Sequence, residues 1–117
     1  MQAIFQNSPH GLAAQHDGRI TYANRGFARI FGYADPSEMY GLPVERLIAD
    51  QDRDRVLQYA RRREQGQTAP ATYRFKARRR DGTIVELDNA VSTYRVGDKL
   101  YILGSVRPVT AKTRTTE

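Results

Sequence analysis

The chain has 117 residues, 39% of them hydrophobic, a formal net charge of +6 and no cysteine. That length holds about one domain, which buries roughly two-thirds of its unfolded surface and needs no covalent staple. Without cysteine there is no disulfide framework, thiolate metal site, cysteine nucleophile or cysteinyl flavin adduct, and folding rests on packing alone.

The first predicted strand runs over 11–16 and meets Asp17-Gly18, a pair that supplies the positive backbone angles of a two-residue hairpin turn. Ile20 and Tyr22 then alternate with Thr21 and Ala23. Asn24 stops this strand and is a helix N-cap, able to accept from a backbone N–H near Phe27; Phe27, Ile30 and Phe31 follow on one helical face until Gly32 closes it. In "DPSE", Asp35 is the next cap, Pro36 the first helical position and Glu38 the residue completing a capping box, with the short helix ending at Gly41. Leu42-Pro43 reopens the chain, with Val44, Leu47 and Ile48 as apolar contacts. Asp50 or Asp52 then caps a longer helix to Gln65-Gly66, carrying Val56, Leu57, Tyr59 and Ala60 as its non-charged positions. Arg61, Arg62 and Arg63 fall in its last turn, where cations complement the helix dipole.

From Ala69 the period changes to two. Tyr73, Phe75 and Ala77 alternate with Arg74, Lys76 and Arg78; Asp81-Gly82 turns the chain; Val85, Leu87, Asn89 and Val91 alternate with Glu86, Asp88 and Ser92. Val96-Gly97-Asp98 is a third turn, and Leu100 to Val106 is an apolar run fit for a more buried strand. Residues 107–117 carry no apolar periodicity and read as a linker. The expected class is therefore α+β: two strands, a helical arm and a three-strand meander, with helices covering one face of the sheet.

Three stretches in this order resemble the PAS domain, a small sensory module of signalling proteins. "HDGRITYANRGFARIFGY" looks like the family's opening turn, strand, Asn and helix; "LIADQDRDRV" is similar to the run before its long helix, with Ala49 and Asp50 where His and Pro often stand; and "RFKARRRDGTIVELDNAVSTYRVGDKLYILGSVRPVT" looks like its closing meander. The resemblance covers roughly residues 3–110 and implies an antiparallel five-stranded sheet, a PAS domain over 1–110 and a linker over 111–117 leading to an effector domain. It implies a non-enzymatic module that binds a small ligand or a partner, pairs as a homodimer and regulates a histidine kinase of a two-component system, a cyclic-dinucleotide enzyme or a transcription regulator. The alternatives are a ligand-free PAS dimerisation module and, in another class, a basic nucleic-acid-binding domain. The family's exit motif, usually Asp-Ile-Thr, is here Pro108-Val109-Thr110, so the ion pair its Asp often makes has no counterpart. The last strand is apolar enough to sit inside the sheet, held on both sides, and Pro108 has no N–H to continue the ladder, so the outgoing signal is expected at Ser105, Pro108, Val109 and Thr110.

Haem in such a domain needs a histidine on or near the long helix, yet His10 and His16 both lie at the start; covalent flavin needs a cysteine, and FAD-holding relatives commonly use a tryptophan, also absent. No cofactor is expected. The two histidines lack a third ligand nearby, so no metal site is expected either. No Gly-rich phosphate loop or nucleophile elbow supports an enzyme. The expected ligand pocket lies between the sheet's apolar face and the arm, lined by some of Phe27, Phe31, Val56, Tyr59, Tyr73, Phe75, Leu87 and Asn89. Asn89 shares the apolar face, where a bare amide is costly; it meets a ligand or water, or else bonds to neighbouring backbone or slips outward. Tyr59 and Tyr73 add polar tips to the wall or simply pack in the core. The basic balance raises nucleic acid as a partner class, but Arg61 to Arg63 and Arg78 to Arg80 fall at a helix end and a turn, where exposed cations are ordinary. No apolar run approaches the roughly 20 residues of a membrane span, and residues 1–10 lack a secretory signal pattern, so a cytoplasmic chain is expected.

Overall fold

The structure, a computed structural model, describes residues 10–109. Strands β1 (Gly11–His16) and β2 (Arg19–Ala23) form a hairpin whose turn has Asp17 at φ 54° and Gly18 at φ 78°, the two positive angles that a tight turn of this hand requires. Within the hairpin the simple alternation fails. Gln15 stands opposite Ile20 and Ala14 opposite Tyr22, so Thr21 is an extra residue, its Oγ1 donating to the Ala14 carbonyl at 3.2 Å. One extra residue reverses the facing of all that follows: Ile20 and Ala23 point into the core, whereas Tyr22 points out and is 37% exposed.

Helix α1 (Arg25–Ile30), 3₁₀ turns at Pro36–Met39 and Val44–Leu47, and helix α2 (Asp50–Glu64) make the arm; β3 (Thr72–Arg78), β4 (Ile84–Val96) and β5 (Lys99–Pro108) follow. The sheet order is β2-β1-β5-β4-β3, so the two strands that flank the arm are the two opposite edges. The arm must therefore cross the sheet's full width, about 19 Å for four strand spacings. It is tied at both ends. At the β2 edge, Ile20 N–H donates to the Leu42 carbonyl (3.0 Å), Gly41 N–H to Ile20 (2.7 Å) and Val44 N–H to Gly18 (2.9 Å). At the β3 edge, Ile48 bridges Ala77, Ala49 N–H donates to the Lys76 carbonyl (2.8 Å), and Lys76 N–H donates to Asp52 Oδ2 (2.7 Å). Both edges thus lose free backbone groups that would otherwise template aggregation.

These ties redirect three side chains from the roles expected of them. Asp35 does cap its turn, but through Ser37 N–H, and Glu38 reaches Arg80 (3.2 Å) rather than closing a capping box. Neither Asp50 nor Asp52 caps α2. The cap residue is Ala49, with no side-chain bond, because Asp52 serves β3 and Asp50 pairs with Arg53 and Arg78, each at 2.6 Å. At the far end Pro108 closes β5 without ending the ladder, since Val109 N–H still donates to the Glu86 carbonyl at 2.9 Å. The meander otherwise keeps its period: Phe75, Ala77 and Leu87 face the core, and β5 lies between β1 and β4. Its burial is one-sided, with Ile102 and Val106 inside and Leu103 38% exposed outside.

Asn24 joins the two layers. Its Oδ1 accepts from Phe27 N–H (2.8 Å), capping α1, and from Leu12 N–H of β1 (3.0 Å), while its own N–H donates to the Leu12 carbonyl (2.9 Å). The residue is wholly buried. Beside it, a Cβ on Gly11 would lie 2.7 Å from Phe27 Cα, so only glycine lets α1 seat this close to β1. Above them Phe27 and Phe31 stack with centroids 4.6 Å apart and join Met39, Leu47, Ile48, Val56, Phe75 and Leu87 in one core. Each such side chain contributes about 1.5–3 kcal/mol on full burial.

Asn24→Ala removes a cap and strands a strand N–H, and is expected to lower unfolding free energy by about 2–4 kcal/mol; Gly11→Ala is expected to cost about 1–3 kcal/mol by overpacking against backbone. Guanidinium unfolding midpoints check both, and a midpoint unchanged in Asn24→Ala would rule out the two-layer role. A second expectation concerns pH. The Asp50 carboxyl is held below its ordinary value by the hydrogen bond and charge of Arg78 and by Arg53. A carboxylate depressed on folding stabilises above its unfolded pKa, about 3.9, and loses that contribution as pH falls through the folded value. Asp50→Asn should therefore be less stable than the parent at pH 7, by a small amount because the group is exposed, with the gap closing towards pH 3. A gap constant across that range would show that the ion pairs add nothing.

Candidate functional site

The row structure of the inner face makes a cavity. Register places Ala23, Ala13, Gly104 and Val91 side by side across four strands, a strip of small side chains. Larger rows flank it: Gly11, Val106, Asn89 and Tyr73 on one side, and Ile20, Gln15 and Ile102 on the other. The arm bridges the strip without filling it. A space of about 90 Å³ is left, with a mainly apolar wall.

Of the residues expected to line it, Phe27, Phe31, Val56, Tyr73, Phe75 and Asn89 do so. Two do not. Leu87 is fully buried in the core, beside its cross-strand partner Phe75. Tyr59 sits at the outer seam between α2 and β3, its ring 4.8 Å from that of Tyr73, with the Arg55 guanidinium over both rings at 5.8 and 6.0 Å. The lining also includes residues outside the expected set, among them Gln15, which shares the inner face of β1 with Gly11 and Ala13; Gly104 and Ile102, because β1–β5 pairing is non-local; and Arg63, because its triplet reads as surface. Arg63 donates to the Pro70 carbonyl.

The polar end of the cavity is a pair. Asn89 Nδ2 donates to the Tyr73 hydroxyl oxygen at 3.1 Å. Asn89 Oδ1 is shielded and accepts no hydrogen bond, lying above β5 where a Cβ on Gly104 would come within 3.2 Å of it. Burial pushes the Tyr73 phenol above its ordinary value, opposed by the Asn89 hydrogen bond, so it stays protonated.

Other candidates fall away from this space. His16 lies at the hairpin end, its Nδ1 2.9 Å from the Leu100 carbonyl and its ring 5.0 Å from Tyr101. Among the described residues no three His, Asp or Glu side chains group to hold a metal, and no helix is long and apolar enough to cross a membrane. Two members of the Arg78–Arg80 triplet are engaged: Arg78 pairs with Asp50, and Arg80 pairs with Glu38 while lying 5.3 Å over the Tyr33 ring. Of the expected exit residues, Ser105 is half-buried on β5, Pro108 ends that strand, Val109 pairs with Glu86, and Thr110 lies outside the described residues.

A family model described as the PAS fold matches residues 1–109. Solved structures agree in fold. A PAS domain from Colwellia psychrerythraea superposes with a TM-score of 0.77 at 19% identity, covering 93% of each chain. A PAS domain from a two-component sensor histidine kinase gives 0.72 at 15% identity over 91% of this chain and 90% of that one. The PAS domain of a LuxR-family transcriptional regulator from Burkholderia thailandensis, solved in complex with ethanol, gives 0.70 at 18% identity over 94% and 97%. No curated protein matches the sequence.

Proposed function

The chain belongs to the PAS-fold family, and from that premise we propose that it is a non-catalytic sensory module which binds a small molecule and controls an attached effector, such as a histidine kinase, a cyclic-dinucleotide enzyme or a transcription regulator. One observation carries this reading: the cavity wall and the chain's exit are the same strand. Ile102, Gly104 and Val106 of β5 line the space, and β5 runs on to Pro108 and Val109. A guest that presses on β5 differently in two arrangements shifts the balance between them, and with it the exit. The size of the cavity supports a guest far smaller than those held in the roughly 300–1,000 Å³ sites of drug-sized ligands, and so a domain that carries neither haem nor flavin. The ethanol held by the Burkholderia domain is a guest of that order. A cytoplasmic location belongs to this reading.

A second face supports pairing with another copy. On the outer side of the sheet Leu12, Tyr22, Ala90 and Leu103 line an apolar depression, with Tyr22 and Leu103 37% and 38% exposed. Contiguous apolar surface of this kind marks a protein contact, and a homodimer through it suits both the sensory reading and a purely dimerising module. Nucleic acid is disfavoured because two arginines of the second triplet, Arg78 and Arg80, are held by Asp50, Glu38 and Tyr33.

Ala60→Phe places a ring into the cavity and should shift the backbone amide resonances of residues 105–109 and alter their hydrogen exchange. Changes confined to α2, with the exit silent, would overturn the proposed route. Leu103→Asp should convert a dimer to monomer in sedimentation velocity; a monomeric parent would remove the pairing part alone.

A further inference from the structure

We propose that the guest of this cavity is a small uncharged molecule carrying a hydroxyl or carboxamide group, seated against Asn89 and Tyr73. The inference rests on the cavity being a ligand site, as argued above. Its basis is the unequal state of the Asn89 amide: the nitrogen is used by Tyr73, while the oxygen is shielded from solvent and bare. A shielded amide oxygen is costly to leave unpaired, and native structures satisfy nearly all such groups. The Tyr73 hydroxyl accepts from Asn89 and so keeps its own proton to donate. One acceptor and one donor therefore stand together at the end of an apolar space. A hydroxyl meets both atoms with one oxygen; a carboxamide meets them with its two ends.

Gly104 is part of the same device. A Cβ there would crowd Asn89 Oδ1 at 3.2 Å, so a side chain on β5 would turn the oxygen away from its place above the strand. Charge argues in the same direction. Arg63 is the charged residue of the wall, and one of its guanidinium nitrogens donates to the Pro70 carbonyl. A carboxylate seated at Asn89 would face a bare carbonyl oxygen without a proton to offer it. Size sets the scale, because an apolar cavity of about 150 Å³ holds benzene, and a space of 90 Å³ takes a guest of roughly four non-hydrogen atoms.

The test is a titration of the ¹⁵N-labelled chain with four probes: propan-1-ol, propionamide, propionate and xenon. The alcohol and the amide should saturably shift the backbone amides of Asn89, Gly104 and Val106, with propionate weaker than both. Asn89→Leu should weaken the alcohol and the amide by about three- to tenfold, the effect of one hydrogen bond, while xenon is held as well or better. Tyr73→Phe, which removes only the donor, should give a smaller loss and carries the test if Asn89→Leu does not fold. Propionate binding tighter than propionamide, with that preference lost in Arg63→Gln, would make the guest an anion and overturn the proposal. So would xenon entering while alcohol and amide do not, or equal alcohol affinity in parent, Asn89→Leu and Tyr73→Phe; in those cases the ligand site stands and its polar end has no role. If no probe enters, xenon included, the ligand-site reading itself fails.

Discussion

The buried carboxamide of Asn24 fixes how the two layers meet. A sheet and a helical arm that merely bury apolar faces against each other can slide, because the hydrophobic effect has no direction. Hydrogen bonds do. By accepting from both Leu12 and Phe27, one oxygen holds the first turn of α1 at a set distance from β1, and Gly11 makes that distance attainable by having no Cβ to meet Phe27. The remainder of the arm inherits its starting direction from this joint. Its other ends are set by backbone bonds to the edges of β2 and β3, so the arm is a strap anchored at both sides rather than a cap resting on the sheet.

The strap explains the cavity. Interiors are close-packed, and a void persists only where no side chain can reach it. Here the strip of Ala23, Ala13, Gly104 and Val91 is low, the neighbouring rows are tall, and a strap held at both edges cannot sink. The walls come from Phe27 and Phe31 above and from Phe75 and Val106 at the sides. Placing the polar pair in the adjoining row gives the space one directional end, which is what distinguishes a seat for a ligand from a packing defect.

Charge follows the same plan. The net +6 suggests a surface offered to an anionic polymer, yet several arginines are used internally. Arg78 and Arg80 hold the arm to the β3–β4 end of the sheet through Asp50 and Glu38. Arg55 covers the Tyr59–Tyr73 seam and donates to the Arg74 carbonyl at 2.8 Å. Arg74 and Arg107 flank Asp88 on the outer face, at 2.7 and 3.8 Å. Exposed pairs of this kind each contribute little; the placement of the Arg78 and Arg80 pairs matters more, since they lie along the seam where arm and sheet could separate.

What the sequence determined by itself is local. Asp17-Gly18, Asn24, Gly32 and the two-residue period of 73–91 act over a few residues, and each specifies a turn, a cap or a facing without help from distant chain. That is enough to give the elements, their order and the inner face of the meander, including Asn89 and Phe75. The tertiary structure decided whatever depends on partners far along the chain. The bulge at Thr21 turned Tyr22 outward; competition from β3 took Asp52 from the helix cap; and the pairing of β1 with β5 set Ala13 beside Gly104, making the low strip on which the cavity depends. Hairpin register is written in turns that the chain spells out, whereas the register between the first strand and the last is fixed only when both pack under one arm, so no short stretch of residues could announce it.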